Sequence, residues 1–366
     1  MLFFAKEGSV WWNTPNFLDL GGWPGVPPGA LCLTLENFYM KKTLVAAAIL
    51  AASGASFAQA TITGSYVFGW TNTTVGSAVS SGLSTDTAAV QFAASEDLGG
   101  GMKADAKVSF GGAMRGSKVG GEDAFVQLSG GFGRIKAGSM EAGTAYDVNS
   151  GVGAPIYGFD GNVFANNVTN DSVTYYMPAF GPATVSVGYA DYSDKANNTV
   201  NGPTGTAIIG QAGANGNDAG TSGSARSVNV TAAVAAGPLS GRARYQMYQN
   251  QDASATSSAS RYYIDAAYDM GAVKVGFGYA VSQYNGDKES ANQAEVDVSA
   301  PIGALTVGAG WAQAKGGAAA TRTGLSVGVS YALSKRTSIG AAYRTLTIND
   351  VADKTNDYRV LLGHSF

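Results

Sequence analysis

Between Thr61 and Phe366 the chain is a succession of segments of about ten residues in which apolar and polar side chains alternate, and the links between them are by turns short and long. The short links are Asp97-Leu98-Gly99-Gly100-Gly101, Ser129-Gly130-Gly131, Ala236-Gly237-Pro238, Met270-Gly271, Pro301-Ile302-Gly303 and Leu333-Ser334-Lys335, and they use the residues that tight turns need. The long links, residues 71–86, 111–121, 139–170, 192–226, 249–260, 282–292, 315–322 and 347–356, are polar and glycine-rich. A water-soluble sandwich has no reason to lengthen every second connection. A barrel that crosses an outer membrane does, because short turns face the periplasm at one rim and long loops face the medium at the other.

The alternation is clearest in Met102–Phe110, where Met102, Ala104, Ala106, Val108 and Phe110 face one way and Lys103, Asp105, Lys107 and Ser109 the other. Such segments number about sixteen, an even count of the kind found in single-chain bacterial barrels. In Leu239–Tyr248 the side chains decide which face is which: Leu239, Ala243, Tyr245 and Met247 share one side, Arg242 and Arg244 the other. Turning that segment over would set two arginines in lipid at roughly 2–4 kcal/mol each near the midplane, so they face the lumen. The same argument gives lumen positions to Lys274, Glu295, Asp297, Arg344 and Arg359. In the last segment Tyr358, Val360, Leu362, His364 and Phe366 share the lipid side, and pairing it with Thr61–Trp70 would close the sheet. Aromatics near segment ends, among them Trp70, Tyr189, Tyr192, Tyr268, Tyr279, Trp311, Tyr331 and Tyr343, predict girdles at the two membrane interfaces. The expected fold is all-β: a transmembrane antiparallel β-barrel with long extracellular loops and short periplasmic turns, wide enough to hold an aqueous channel.

Composition excludes the main competitors. With 13% charged residues, net charge −3 and mean hydropathy close to zero, the chain is too apolar for disorder and carries no basic surplus for nucleic acid. The only membrane-helix-like run lies near the start. Met40-Lys41-Lys42, the apolar run Thr43–Ala52 and the small residues up to Ala60 read as a signal peptide over 40–58, cut after Ala58 or Ala60. Residues 1–39 precede a start-like Met without any periodic pattern and are read as an upstream extension. The leader contains Cys32, the only cysteine, so the exported chain would have no disulfide, thiolate metal site or Cys nucleophile. It also removes three basic residues (Lys6, Lys41, Lys42) and three acidic ones (Glu7, Asp19, Glu36), leaving the net charge unchanged.

Several stretches resemble, in order, the general diffusion porins of Gram-negative bacteria, specifically the betaproteobacterial group. They are Glu96-Asp97-Leu98-Gly99-Gly100-Gly101-Met102-Lys103-Ala104, Ala124–Gly133, Asp171-Ser172-Val173-Thr174-Tyr175-Tyr176-Met177-Pro178, Tyr331-Ala332-Leu333-Ser334-Lys335-Arg336-Thr337 and the ending Gly363-His364-Ser365-Phe366. The resemblance implies a homotrimer in the cell outer membrane that passes small hydrophilic solutes and ions down their gradients without a cofactor. It implies that link 139–170, with Glu141, Asp147 and Asp160, folds inward as a constriction loop opposite Lys103, Lys107, Arg134 and Lys136. It also implies that Tyr358, Val360, Leu362, His364 and Phe366 form the signal read by the outer-membrane assembly machinery. The chain departs from the family pattern at Gly138-Ser139, Thr174 and Glu122, where basic residues are usual, and at Arg134 and Lys136, where small ones are. These exchanges predict weak ion selectivity.

Two other functions remain open from the residues alone: a channel with a binding site for one solute class, and a structural or adhesive barrel without an open lumen. An enzyme has little material, since His364 is the sole histidine and sits on the lipid side. The loop carboxylates Asp218, Asp350 and Asp353 show no calcium-ligand spacing, and Gly210–Gly223 lacks a phosphate-cradling motif.

Overall fold

The computed structural model describes residues 59–112, 119–142, 148–164, 168–191, 226–249, 258–284, 290–316, 320–349 and 351–366. The predicted extension (1–39), the predicted signal peptide (40–58), Asp147 and Tyr192 lie outside these, as does the side chain of Glu141.

The described strands are β1 (Gln59–Val75), β2 (Ala78–Gly99), β3 (Met102–Gly111), β4 (Gly120–Gly130), β5 (Gly133–Ala142), β6 (Val168–Tyr176), β7 (Ala183–Asp191) and β8 (Arg226–Ala236), followed by β9 (Leu239–Gln249), β10 (Ser258–Asp269), β11 (Lys274–Tyr284), β12 (Ala291–Ile302), β13 (Leu305–Gly316), β14 (Arg322–Ala332), β15 (Thr337–Ile348) and β16 (Thr355–Ser365). Each pairs antiparallel with its neighbours in sequence, and β1 pairs with β16 from Ser65↔Ser365 to Val75↔Thr355, so the sheet is a closed barrel without free lateral edges. One short helix, α1 (Val148–Val152), lies between β5 and β6.

The faces follow the alternation. Tyr66, Phe68, Trp70, Phe92, Val126, Tyr245, Ile264, Leu325 and Tyr358 are exposed on the outside. Ser227, Arg261, Gln293, Glu295, Asp297, Arg344 and Asp357 are buried on the inside. This inverts the arrangement of a water-soluble protein and suits a barrel whose outer solvent is hydrocarbon. Trp70, Tyr189, Tyr268, Tyr279 and Tyr331, expected in the girdles, are exposed on that outer face.

One expected long link is absent. Residues 71–86 continue β1 and β2, joined at Gly76-Ser77, where Gly76 adopts φ 57°. Runs such as Thr71–Val75 have polar residues on both faces, so no apolar period betrays the strand, although Thr and Val favour it. At the opposite rim the β2–β3 turn takes φ 77°, 63° and 78° at Gly99, Gly100 and Gly101, a left-handed run that favours glycine, and Asp97 accepts the Gly99 N–H at 2.8 Å. The predicted loop 139–170 is also shorter than expected: β5 extends to Ala142 and β6 begins at Val168.

Candidate functional site

Residues 148–164, between β5 and β6, lie inside the barrel along one wall. Val148, Val152, Ala154, Ile156, Phe159, Val163 and Phe164 form a buried cluster with Tyr263, Ala280, Ala291, Ala312, Ala314 and Leu346 of β10–β15. Each fully buried Val, Ile or Phe contributes roughly 1.5–3 kcal/mol relative to exposure, enough to hold a loop whose described residues include one short helix.

The wall makes room by omission. A Cβ on Gly276 would meet Val152 at 2.3 Å, one on Gly308 would meet Pro155 at 2.6 Å, one on Gly324 would meet Phe159 at 2.7 Å, and one on Gly328 would meet the Pro155 carbonyl oxygen at 1.8 Å. These glycines stand at lumen positions of three strands and form a recess. Polar bonds then fix the path. Ser299 Oγ donates to Val152 O at 2.7 Å, the Tyr157 N–H donates to Ser326 Oγ at 2.8 Å, and Arg322 donates to Asn162 O at 2.9 Å.

The predicted pore-lining cations divide into three groups. Arg344 and Arg359 face inward but hold the loop. Arg344 donates to Gly158 O, and Arg359 donates to Ile156 O at 2.8 Å. Both guanidinium groups lie over the Tyr157 ring, 4.2 and 4.0 Å from its centre. Each has a carboxylate partner: Asp357 at 2.7 Å from Arg344 and Asp86 at 3.1 Å from Arg359. Lys103, Lys107 and Arg242 also form ion pairs, with Asp105 (2.7 Å), Asp123 (2.9 Å) and Asp265 (2.5 Å), while Arg244 donates to Thr231 Oγ1 at 2.9 Å. Among the described residues, Arg134 and Lys136 form no ion pair. Arg134 lies 3.8 Å over Tyr176 and Lys136 lies 4.0 Å over Phe125.

Of the three predicted loop acids only Asp160 has a described side chain, and it is exposed, on a turn that packs Phe159 beneath it. Glu295 and Asp297 point inward as expected but are buried, and Asp297 and Ile156 crowd the same space above Gly310. The terminal residues Tyr358, Val360, Leu362 and Phe366 are exposed on the outer face, and His364 Nδ1 lies 2.9 Å from Thr337 Oγ1.

Sequence reasoning did not single out Tyr157, Phe125, Tyr176, Asp86, Asp265 or Asp357. Asp265 and Asp357 were within reach, because they share the parity of Tyr263 and Arg359 on their own strands. The barrel interior thus carries charges of both signs, and residues 148–164 pack against one side of it.

Comparison with known proteins agrees with this architecture. The family model described as Gram-negative porin matches residues 44–350. Outer membrane porin protein 32 of Delftia acidovorans is 34% identical over 188 residues, which span 41% of this chain and 50% of that protein. The chain thus matches about half the length of this curated relative. An anion-selective porin from Comamonas acidovorans superposes with a TM-score of 0.61 at 20% identity, over 85% of this chain and 100% of the other. OmpT of Vibrio cholerae, in a trimer form, gives 0.61 at 12% identity over 84% and 99%.

Proposed function

The chain belongs to the Gram-negative porin family, and from that premise we propose that it forms a water-filled channel in the cell outer membrane for passive diffusion of small hydrophilic solutes and ions. The observation that carries this reading is the one-sided attachment of the loop. Its apolar side is spent on β10–β15, so it narrows the lumen without plugging it, and the inward Lys103, Lys107, Gln127, Arg134 and Lys136 of β3 to β5 remain exposed or half-buried.

The constriction lies between the loop that bears Asp160 and the wall that bears Lys103, Lys107, Arg134 and Lys136; Glu141 and Asp147, expected to add acidic charge to the loop, fall outside the described side chains. Arg242 and Arg244 line the neighbouring wall. Ion pairs hold Lys103, Lys107 and Arg242, which supports weak selectivity, while Arg134 and Lys136 keep charge that acts on passing ions. Charged walls facing each other across a narrow gap favour dipolar solutes, and apolar ones must disturb ordered water to pass.

The leader over 40–58 is removed on export. A cut after Ala58 would leave Gln59, the first residue of β1, as the new terminus. Tyr358, Val360, Leu362, His364 and Phe366 present the assembly signal, and the protein works as a homotrimer among outer-membrane lipids. The exported chain, purified and added to a planar bilayer, is expected to give ohmic steps that close in threes. Silence at all voltages would overturn the pore, and steps blocked by one solute class would favour a dedicated channel.

A further inference from the structure

The β1–β2 ladder contains one irregularity. Val67 pairs with Thr87 and Phe68 with Thr85, so Asp86 is an extra residue with no partner on β1. In unbroken alternation Asp86 would follow the lumen-facing Thr87 onto the outer face, where a carboxylate is disfavoured. A bulge of this kind re-aims a side chain. Here it turns Asp86 inward, and the carboxylate reaches past β1 to Arg359 on β16 at 3.1 Å.

Arg359 has no other carboxylate partner among the described residues. Its remaining bonds go to the loop: the Ile156 carbonyl at 2.8 Å and the Tyr157 ring at 4.0 Å. Arg344 treats the same turn in the same way from β15, with Asp357 behind it. Tyr157 is therefore gripped by two guanidinium groups, one backed by an acid in regular register and the other by an acid that only the bulge supplies.

We propose that Asp86 is a positioning residue for the constriction loop, and that through Arg359 and Tyr157 it fixes the turn at residues 156–158 and so the width and charge of the narrow zone. A cation held between Asp86, a loop carbonyl and an aromatic ring is unavailable to passing ions. Without Asp86, Arg359 gains an uncompensated charge and an alternative in water, and its hold on the loop weakens. The inference rests on reading the β5–β6 segment as the constriction of a diffusion channel, yet its test does not depend on conductance.

The test uses Ile156→Cys, since Ile156 is 3% exposed against the wall and the exported chain has no other cysteine. Assembled protein would be exposed to a water-soluble maleimide. In the Asp86→Asn background the labelling rate is expected to rise by about tenfold or more, the factor that corresponds to loss of a charge-assisted hydrogen bond. Asp86→Glu should restore slow labelling. Tyr157→Leu, which leaves every strand intact, should accelerate labelling as well and carries the test if Asp86→Asn fails to assemble. In bilayers the Asp86→Asn channel should show larger open-state current fluctuations than the parent. Unchanged labelling in Tyr157→Leu, or in assembled Asp86→Asn, would overturn the proposal. Absence of conductance with labelling as expected would instead count against the pore and leave the positioning role standing.

Discussion

Gly64 and Phe366 exchange both backbone hydrogen bonds, each N–H donating to the other's carbonyl at 3.0 Å. The last residue of the chain thereby completes the ladder that closes the barrel, and its ring lies where a side chain on residue 64 would be. A Cβ there would come 2.5 Å from the Phe366 ring and 2.6 Å from Ala89 O. Gly64→Val should overpack this junction by about 1–3 kcal/mol. The expected result is a smaller heat-modifiable fraction on cold electrophoresis after refolding, and a wild-type fraction would count against the contact.

Arg344 and Asp357 form a pair whose side chains are 6% and 5% exposed. Breaking a buried pair from one side strands a charge, so Asp357→Asn should destabilise the barrel by about 3–5 kcal/mol. Asp269→Asn, which removes a half-exposed partner of Lys274, should change stability by less than about 1 kcal/mol. Denaturant unfolding of both variants in the same micelles would check the contrast.

Val126 and Gln127 are adjacent on β4 but face opposite media. Val126→Arg sets a cation on the lipid side and should lower the unfolding free energy by roughly 2–4 kcal/mol. Gln127→Arg should leave the unfolding midpoint close to the parent and move the reversal potential toward anions. Equal stability losses would mean that the two faces are misassigned.

Lys136 lacks a carboxylate partner among the described residues, so its charge is available to ions. Lys136→Glu should shift the zero-current potential in a salt gradient toward cations. The shift should be larger near 0.1 M salt, where screening extends about 10 Å, than at 1 M, where it extends about 3 Å. A salt-independent shift would place Lys136 away from the ion path.

Legibility in the sequence tracked how local the cause was. The faces of β3, β9 and β16 follow from neighbouring residues such as Met102 and Lys103, and the closing pair follows from the need to leave no open edge. Residues 71–86 look like a loop in the sequence because their strands carry Ser and Thr on both sides and so lack a period. The bulge at Asp86 was hidden for the same reason. Arg344 and Arg359 had the correct face, but their bonds to Gly158 and Ile156 bridge 186 and 203 residues of chain, and parity cannot say what a lumen arginine will meet. The recess left a fainter trace, since Gly308, Gly310, Gly324 and Gly328 occupy positions where the same parity elsewhere holds polar side chains.

The pair between Asp86 and Arg359 joins the second strand to the last, with only β1 between them. Neither residue can find the other until the two ends of the chain have met. The clasp on the turn at residues 156–158 is thus half independent of closure, through Arg344 and Asp357 on adjacent strands, and half conditional on it, so an unsealed wall would leave the loop with one of its two arginine holds.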